Sequence, residues 1–194
     1  MRESGRGECM IEIRWHGRGG QGAFTASKLL GAAAAESGQR VLSFPSFGPE
    51  RRGAPIQAFT KIGGNDSSGT PEPVVDRSAV HRADYIVFLD ETLFRITEKQ
   101  DLKDGGLLFV NSREPEKYSR DEQIISIDAD GISERLTGQP VSNTVMLAVL
   151  CRKTGLAGKD ALKRSLHCFL SGGAADKNES IIDEIFASEG EAHD

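Results

Sequence analysis

A short alternating apolar run, Ile11 to Trp15, leads without a break into His16-Gly17-Arg18-Gly19-Gly20-Gln21-Gly22, and from Ala23 to Ser37 the pattern turns helical. This succession of strand, glycine turn and helix constrains the fold more than any other stretch. Glycines permit a tight turn and leave backbone N–H groups open at the start of a helix. The helix is rich in small residues, with Ala26 and the run Ala32 to Ala35, so it can approach a sheet or a partner closely, and Gly38 stops it. Arg40 to Phe44 then reads as a second strand, which completes a strand–loop–helix–strand unit.

The remainder extends that pattern. Ile56 to Ile62 alternates as a strand does, while Ala83 to Leu89, Leu107 to Val110 and Ile124 to Ile127 are short continuous apolar runs, as in strands covered on both faces. Thr92 to Leu102 reads as partly helical. Asn143 to Gly155 reads as a buried helix opened by an asparagine cap and closed by glycine, followed by amphipathic helices at Asp160 to Leu170 and Asn178 to Ala187. No repeat or linker interrupts the chain. The fold expected is α/β: a three-layer α/β/α single domain over residues 10–194, Rossmann-like, with a largely parallel or mixed sheet. Residues 1–9, MRESGRGEC, are polar and read as a disordered leader.

Composition removes several functions. A net charge of −5, with no basic tract, argues against nucleic-acid binding. No apolar run reaches the ~20 residues that span a bilayer, so no membrane role is expected. Cys9, Cys151 and Cys168 form no C-x-x-C pair and cannot supply the four ligands of a cluster; with no disulfide framework, a cytoplasmic setting is the expectation. His16, His81, His167 and His193 lack zinc spacing, so no metal site is expected, and no G-x-S-x-G elbow points to a hydrolase.

Gly17-x-Gly19-x-x-Gly22 matches the pattern that seats a dinucleotide, but that reading needs a carboxylate about 20 residues on, near the end of the second strand. Val41-Leu42-Ser43-Phe44-Pro45 contains none, Glu36 lies in the helix, and Arg40 stands at the wrong end of the strand for a 2′-phosphate. A freestanding NAD(P)- or flavin-dependent reductase is therefore the alternative reading, and tight packing alone is the plain one. The second loop, SFGPERRGAP, holds Glu50, Arg51 and Arg52 between stiffening Gly-Pro and Gly-Ala-Pro flanks. Adjacent guanidiniums on such a loop suit a phosphate, a carboxylate or an acidic partner surface; a solvated turn competes on equal terms.

GRGGQGAFTASKLLGAAA followed by FPSFGPERRGAPIQAFTKI resembles the gamma subunit, or gamma domain, of the 2-oxoacid:ferredoxin oxidoreductases. The similarity continues through DYIVFLDE, GGLLFVNS and PVSNTVMLAVL, covering most of the chain from Met10 to about Ala187. The resemblance implies a subunit of a complex that oxidatively decarboxylates a 2-oxoacid, pyruvate or 2-oxoglutarate, to an acyl-coenzyme A with reduction of ferredoxin. Thiamine diphosphate, magnesium and iron–sulfur clusters are implied on the alpha, beta and delta-type partners, and ferredoxin is reached indirectly. In keeping with that division, the chain has no GDG followed by an asparagine pair, so it is expected to be inert alone and to contribute subunit packing and coenzyme A engagement.

On the resemblance, Gly17, Arg18, Gly19, Gly20, Gln21 and Gly22 form a contact loop, with Gln21 free to bridge to a partner or to coenzyme A. Arg51 and Arg52 are implied as anion contacts, with Glu50 orienting one of them. Asn143 and Thr144 match an asparagine–threonine helix start, for which a plain cap is the equal alternative. A small subunit of an indolepyruvate-type enzyme is a further alternative. An isolated subunit would keep its partner surface exposed, so a homodimer is a reasonable substitute assembly.

Overall fold

The structure is a computed structural model that describes residues 10–46, 52–66 and 68–188. Its strands are β1 (Ile11–Arg18), β2 (Val41–Pro45), β3 (Pro55–Ile62), β4 (Ala83–Phe88), β5 (Leu102–Asn111) and β6 (Ile124–Ile127). The helices are α1 (Ala23–Glu36), α2 (Ala129–Thr137), α3 (Ser142–Thr154), α4 (Lys159–Phe169) and α5 (Gly173–Ala187). The strands form one sheet in the order β2-β3-β1-β4-β5-β6. β1, β4, β5 and β6 run parallel, and β3 pairs antiparallel with both β1 and β2, so the sheet is mixed. The expected strand–loop–helix–strand unit is present as β1, α1 and β2, and β3 lies between its two strands in the sheet.

Alternation along each strand divides the core into two faces. Ile13, Trp15, Ala58, Val87 and Phe109 face the helices, whereas Phe44, Phe59, Ile86, Phe88 and Leu108 face the other way. α3 is the central helix, with Val145, Met146, Leu147 and Leu150 all buried. α1 lies close to the sheet, as its small residues suggest: a Cβ on Gly31 would stand 2.6 Å from Ser43 Oγ. Hydroxyls complete that seam, with Ser27 Oγ donating to Phe59 O at 2.8 Å and Ser43 Oγ donating to Ser27 O at 2.8 Å.

The helices gather on the first face, and the layer over the second is 3-10 turns and extended chain. Val80, Leu93, Phe94 and Tyr118 pack there, from residues 74–82 and the turns Glu91–Leu93 and Pro115–Tyr118. Two buried cations projecting from the sheet hold this cover down. Arg14 of β1 donates to Val80 O and His81 O, both at 3.3 Å, and to Glu98 and Asp101 carboxylates at 2.6 and 2.7 Å. Lys61 of β3 bonds Asp76 at 2.7 Å and lies 3.3 Å from Glu12. A charge inside a strand is costly to bury alone, so each anchor depends on the carboxylates that meet it.

Helix ends show where local signals were missed. α2 was not anticipated, although Asp128 caps it by accepting from Gly131 N–H at 2.8 Å and Gly138, at φ 75°, stops it. α5 begins at Gly173, earlier than Asn178; that residue is buried inside the helix and tied to Thr144. Among the described residues no helix is long and apolar enough to cross a membrane.

Arg14→Ala leaves Glu98 and Asp101 without their cation and frees the cover. The unfolding free energy is expected to fall by about 3 kcal/mol. Urea titration read by the fluorescence of Trp15, the only tryptophan, measures it. A loss below about 0.5 kcal/mol would show that the cover holds without this anchor.

Candidate functional site

β1 continues past its apolar core to Gly17 and Arg18, which lie opposite Ile56 and Pro55 of antiparallel β3. The two glycine-bearing turns therefore emerge side by side, and they are bonded together: Gly19 N–H donates to Ala54 O at 2.9 Å, and Gly53 N–H to Gly19 O at 3.0 Å. The junction sits at the carboxyl end of β1, beside the start of α1, the rim at which α/β sheets place ligands.

Gly22 must be glycine for two reasons. Its φ of 83° is left-handed, and a Cβ there would come 2.5 Å from Asn143 Nδ2. α1 has no side-chain cap and no acid in its first turn.

The structure sorts the residues that the sequence singled out. Gln21 folds back into its own turn, with Oε1 accepting from Arg18 N–H at 2.6 Å and Nε2 reaching Asp90 Oδ2 at 3.4 Å. Arg18 is half exposed and tethered: its Nε donates to Asp90 at 2.8 Å, Nη2 to Thr92 Oγ1 at 2.7 Å and Nη1 to Gly53 O at 3.2 Å. Arg52 is exposed at the turn junction, and among the described residues its guanidinium has no partner. Glu50 and Arg51 lie outside the described residues.

Asn143 is not the cap of α3. That helix starts at Ser142 after Val141, without a side-chain cap, and Asn143 is buried with Nδ2 donating to Gly22 O at 3.5 Å. Thr144 is buried as well, its hydroxyl donating to Asn178 Oδ1 at 2.5 Å. Asn143 thus braces the glycine turn from α3, and Thr144 ties α3 to α5. The reason is packing: α3 runs through the helical core, so its first turn meets the protein and not water.

Sequence reasoning missed Asp90. It lies two residues past β4 and bonds Arg18, Gln21 and Thr92, so it organises the rim. Burial works to raise its pKa, but hydrogen bonds from Thr92 and Arg18 outweigh that and hold it below the usual carboxylate range. The signal was available: Asp90 is the first polar residue after a buried parallel strand, at the end where such sheets carry their ligands. Beside it, Glu91 accepts from Ser112 Oγ and Tyr118 OH, both at 2.8 Å, and burial with this carboxylate pushes the Tyr118 phenol up to about 12.

On the second face of the same rim lies a cleft of about 350 Å³, lined by His16, Gln57, Ser46, Leu93 and Glu98. The His16 ring stacks on Phe88 at 4.5 Å between centroids, and its Nε2 is buried with no hydrogen-bond partner among the described residues. Burial, then the neighbouring Arg14 charge, lowers its pKa to about 3. A histidine of that kind is neutral across the physiological range and is a poor acid–base catalyst there. Among the described residues no group of three or more His, Cys, Asp or Glu is placed to hold a metal ion.

The geometry thus defines an α/β chain with a mixed sheet whose two glycine-bearing turns are bonded together at the carboxyl end of β1. Comparison with known proteins gives the particular family. The model of the pyruvate ferredoxin/flavodoxin oxidoreductases matches residues 12–188, and the chain belongs to that family. It is 44% identical over 170 residues to the pyruvate synthase subunit PorC of Methanothermobacter marburgensis, covering 87% of this chain and 92% of that one. It is 35% identical over 184 residues to the pyruvate/ketoisovalerate oxidoreductases common subunit gamma of Thermococcus kodakarensis, covering 91% and 96%. The crystal structure of the pyruvate oxidoreductase subunit PORC of Thermotoga maritima superposes with a TM-score of 0.76 at 32% identity, over 92% of this chain and 96% of that chain.

The depressed pKa of His16 has a pH signature. The unfolded chain takes up a proton near pH 6.5, whereas the folded one does not until about pH 3. The stability this group contributes is therefore complete above pH 6.5 and is lost as pH falls from there towards 3. Proton NMR is expected to show the His16 ring signals unmoved from pH 8 to 5. A midpoint near 6.5 would mean that the ring is solvated.

Proposed function

We propose that the chain is the gamma subunit of a complex that oxidatively decarboxylates pyruvate, or a close 2-oxoacid, to an acyl-coenzyme A with reduction of ferredoxin. It is a non-catalytic chain in this reading. Thiamine diphosphate, magnesium and the iron–sulfur clusters belong to alpha, beta and delta-type partners, and the chain contributes packing and coenzyme A engagement. Support for pyruvate comes from the names of the relatives, two of which are pyruvate synthase or pyruvate oxidoreductase subunits.

One observation carries the site reading: the cross-bonded turns set Arg18 and Arg52 on a single rim, beside an uncapped helix start. A guanidinium pairs a phosphate with strong, directional hydrogen bonds, and helix N–H groups add to the attraction. The roles differ between the two. Arg18 is held by Asp90, so it positions the rim and offers only its exposed edge. Arg52, which has no partner among the described residues, supplies the net positive charge for the phosphates of coenzyme A, with its sequence neighbour Arg51 as second cation and Glu50 as orienting carboxylate. Gly17, Gly19, Gly20 and Gly22 let the backbone approach, Gln21 shapes the turn, Asn143 braces it, and Thr144 ties α3 to α5.

Substituting Arg52→Ala in the assembled complex is expected to raise KM for coenzyme A about tenfold, the worth of one charge-assisted hydrogen bond, with kcat little changed. Steady-state kinetics with varied coenzyme A and saturating 2-oxoacid measures this. An unchanged KM in an intact complex would overturn the anion role of the loop.

A further inference from the structure

A second cavity of the described structure lies away from the glycine turns, at the far edge of the sheet. It is a half-open groove of about 590 Å³ between β6 and helices α2, α3 and α5. Its floor is aliphatic: Ile125 and Ile127 from β6, Ile132 from α2, Val149 from α3 and Ile185 from α5. Only Ile185 among these is fully buried; the others remain partly open to water. The rim is cationic. Arg135 is paired with Glu184 at 3.1 Å, whereas Arg152 and Lys153 are exposed and, among the described residues, have no partner. β6 is the last strand of the sheet, paired with β5 alone, so its outer edge has no neighbouring strand.

We infer that this groove seats an extended segment from another subunit of the complex, one that carries aliphatic side chains next to aspartate or glutamate. The inference rests on the subunit reading above. Its particular support is charge complementarity: two cations that have no partner among the described residues stand over an apolar floor, on a chain whose net charge is −5. The side chains of the floor are aliphatic and the outer edge of β6 offers open backbone groups, a combination that suits an extended segment with aliphatic side chains over a small polar metabolite. Residues 189–194 of the chain itself, EGEAHD, follow Ser188 at the groove wall and bring carboxylates, but Ala192 is their only aliphatic side chain. A methyl group fills little of a floor of this size.

The test uses the native complex with a photo-crosslinking p-benzoylphenylalanine at Lys153, and peptide mass spectrometry of the product. Cross-links to an acid- and aliphatic-bearing segment of another subunit are expected. Cross-links confined to residues 189–194, or to a second copy of this chain, would overturn the proposal, as would none at all in an intact complex. If the chain copurifies with no other subunit, the subunit reading falls with it; an intact complex that is silent at Lys153 sinks only the groove. As an independent arm, R152E combined with K153E is expected to weaken partner retention about tenfold, more at low salt than at high, with an unchanged melting curve for the isolated chain. Undiminished retention would also overturn the proposal.

Discussion

Antiparallel pairing between β1 and β3 runs from Ile11 opposite Ile62 to Arg18 opposite Pro55, and the rim depends on that register. Side chains on a strand alternate with a period of two, so a slip of β1 by one residue against β3 would turn Trp15 away from the helices and bring Arg14 into the helical core. The buried Trp15 indole, whose Nε1 donates to Thr60 Oγ1 at 3.0 Å across the two strands, adds a side-chain lock to the ladder. With the register held, Gly19 and Gly53 have no choice but to meet. The proposed contact surface is thus a consequence of strand pairing and not of loop conformation alone.

The second face shows how a sheet can be closed without α-helices over it. Phenylalanines Phe44, Phe59 and Phe88 provide the apolar area, and short turns and extended chain provide the lid. Such chain has few internal hydrogen bonds, so it needs fixed points. Arg14 and Lys61 supply them from within the strands, and the carboxylates of Glu98, Asp101 and Asp76 come from the lid itself. The same anchoring brings Glu98 and Leu93 over His16, which creates the cleft and deprives the imidazole of solvent. Packing, electrostatics and the charge state of the rim are linked through one guanidinium.

Chemistry at the rim follows from that linkage. His16 is held neutral by burial, Arg18 is bonded to Asp90 and Gln21 is turned into its own loop. Beside them, among the described residues, stand a helix start without a side-chain cap and the exposed guanidinium of Arg52. The proposed role in recognising an anion draws on those two features. The groove beyond β6 would give the same chain a second contact on the opposite flank of the sheet.

Local chemistry along the chain was enough to determine the alternating strands, the glycine turn into α1, the glycine stop of α3 and the family likeness of the two loops. Each depends on neighbours a few residues apart: backbone freedom at glycine, period-two burial, the steric demands of proline. α2 carried equally local marks in Asp128 and Gly138, and they went unread because its short, polar sequence lacked a strong apolar stripe. Only the tertiary structure decided that β3 lies between β1 and β2, that Asn143 braces Gly22 instead of capping α3, and that Asp90 binds Arg18. It also decided that His16 is kept neutral. Those outcomes join residues tens of positions apart, and their energies come from desolvation and hydrogen bonding that exist only once the sheet and its two covers have closed around them.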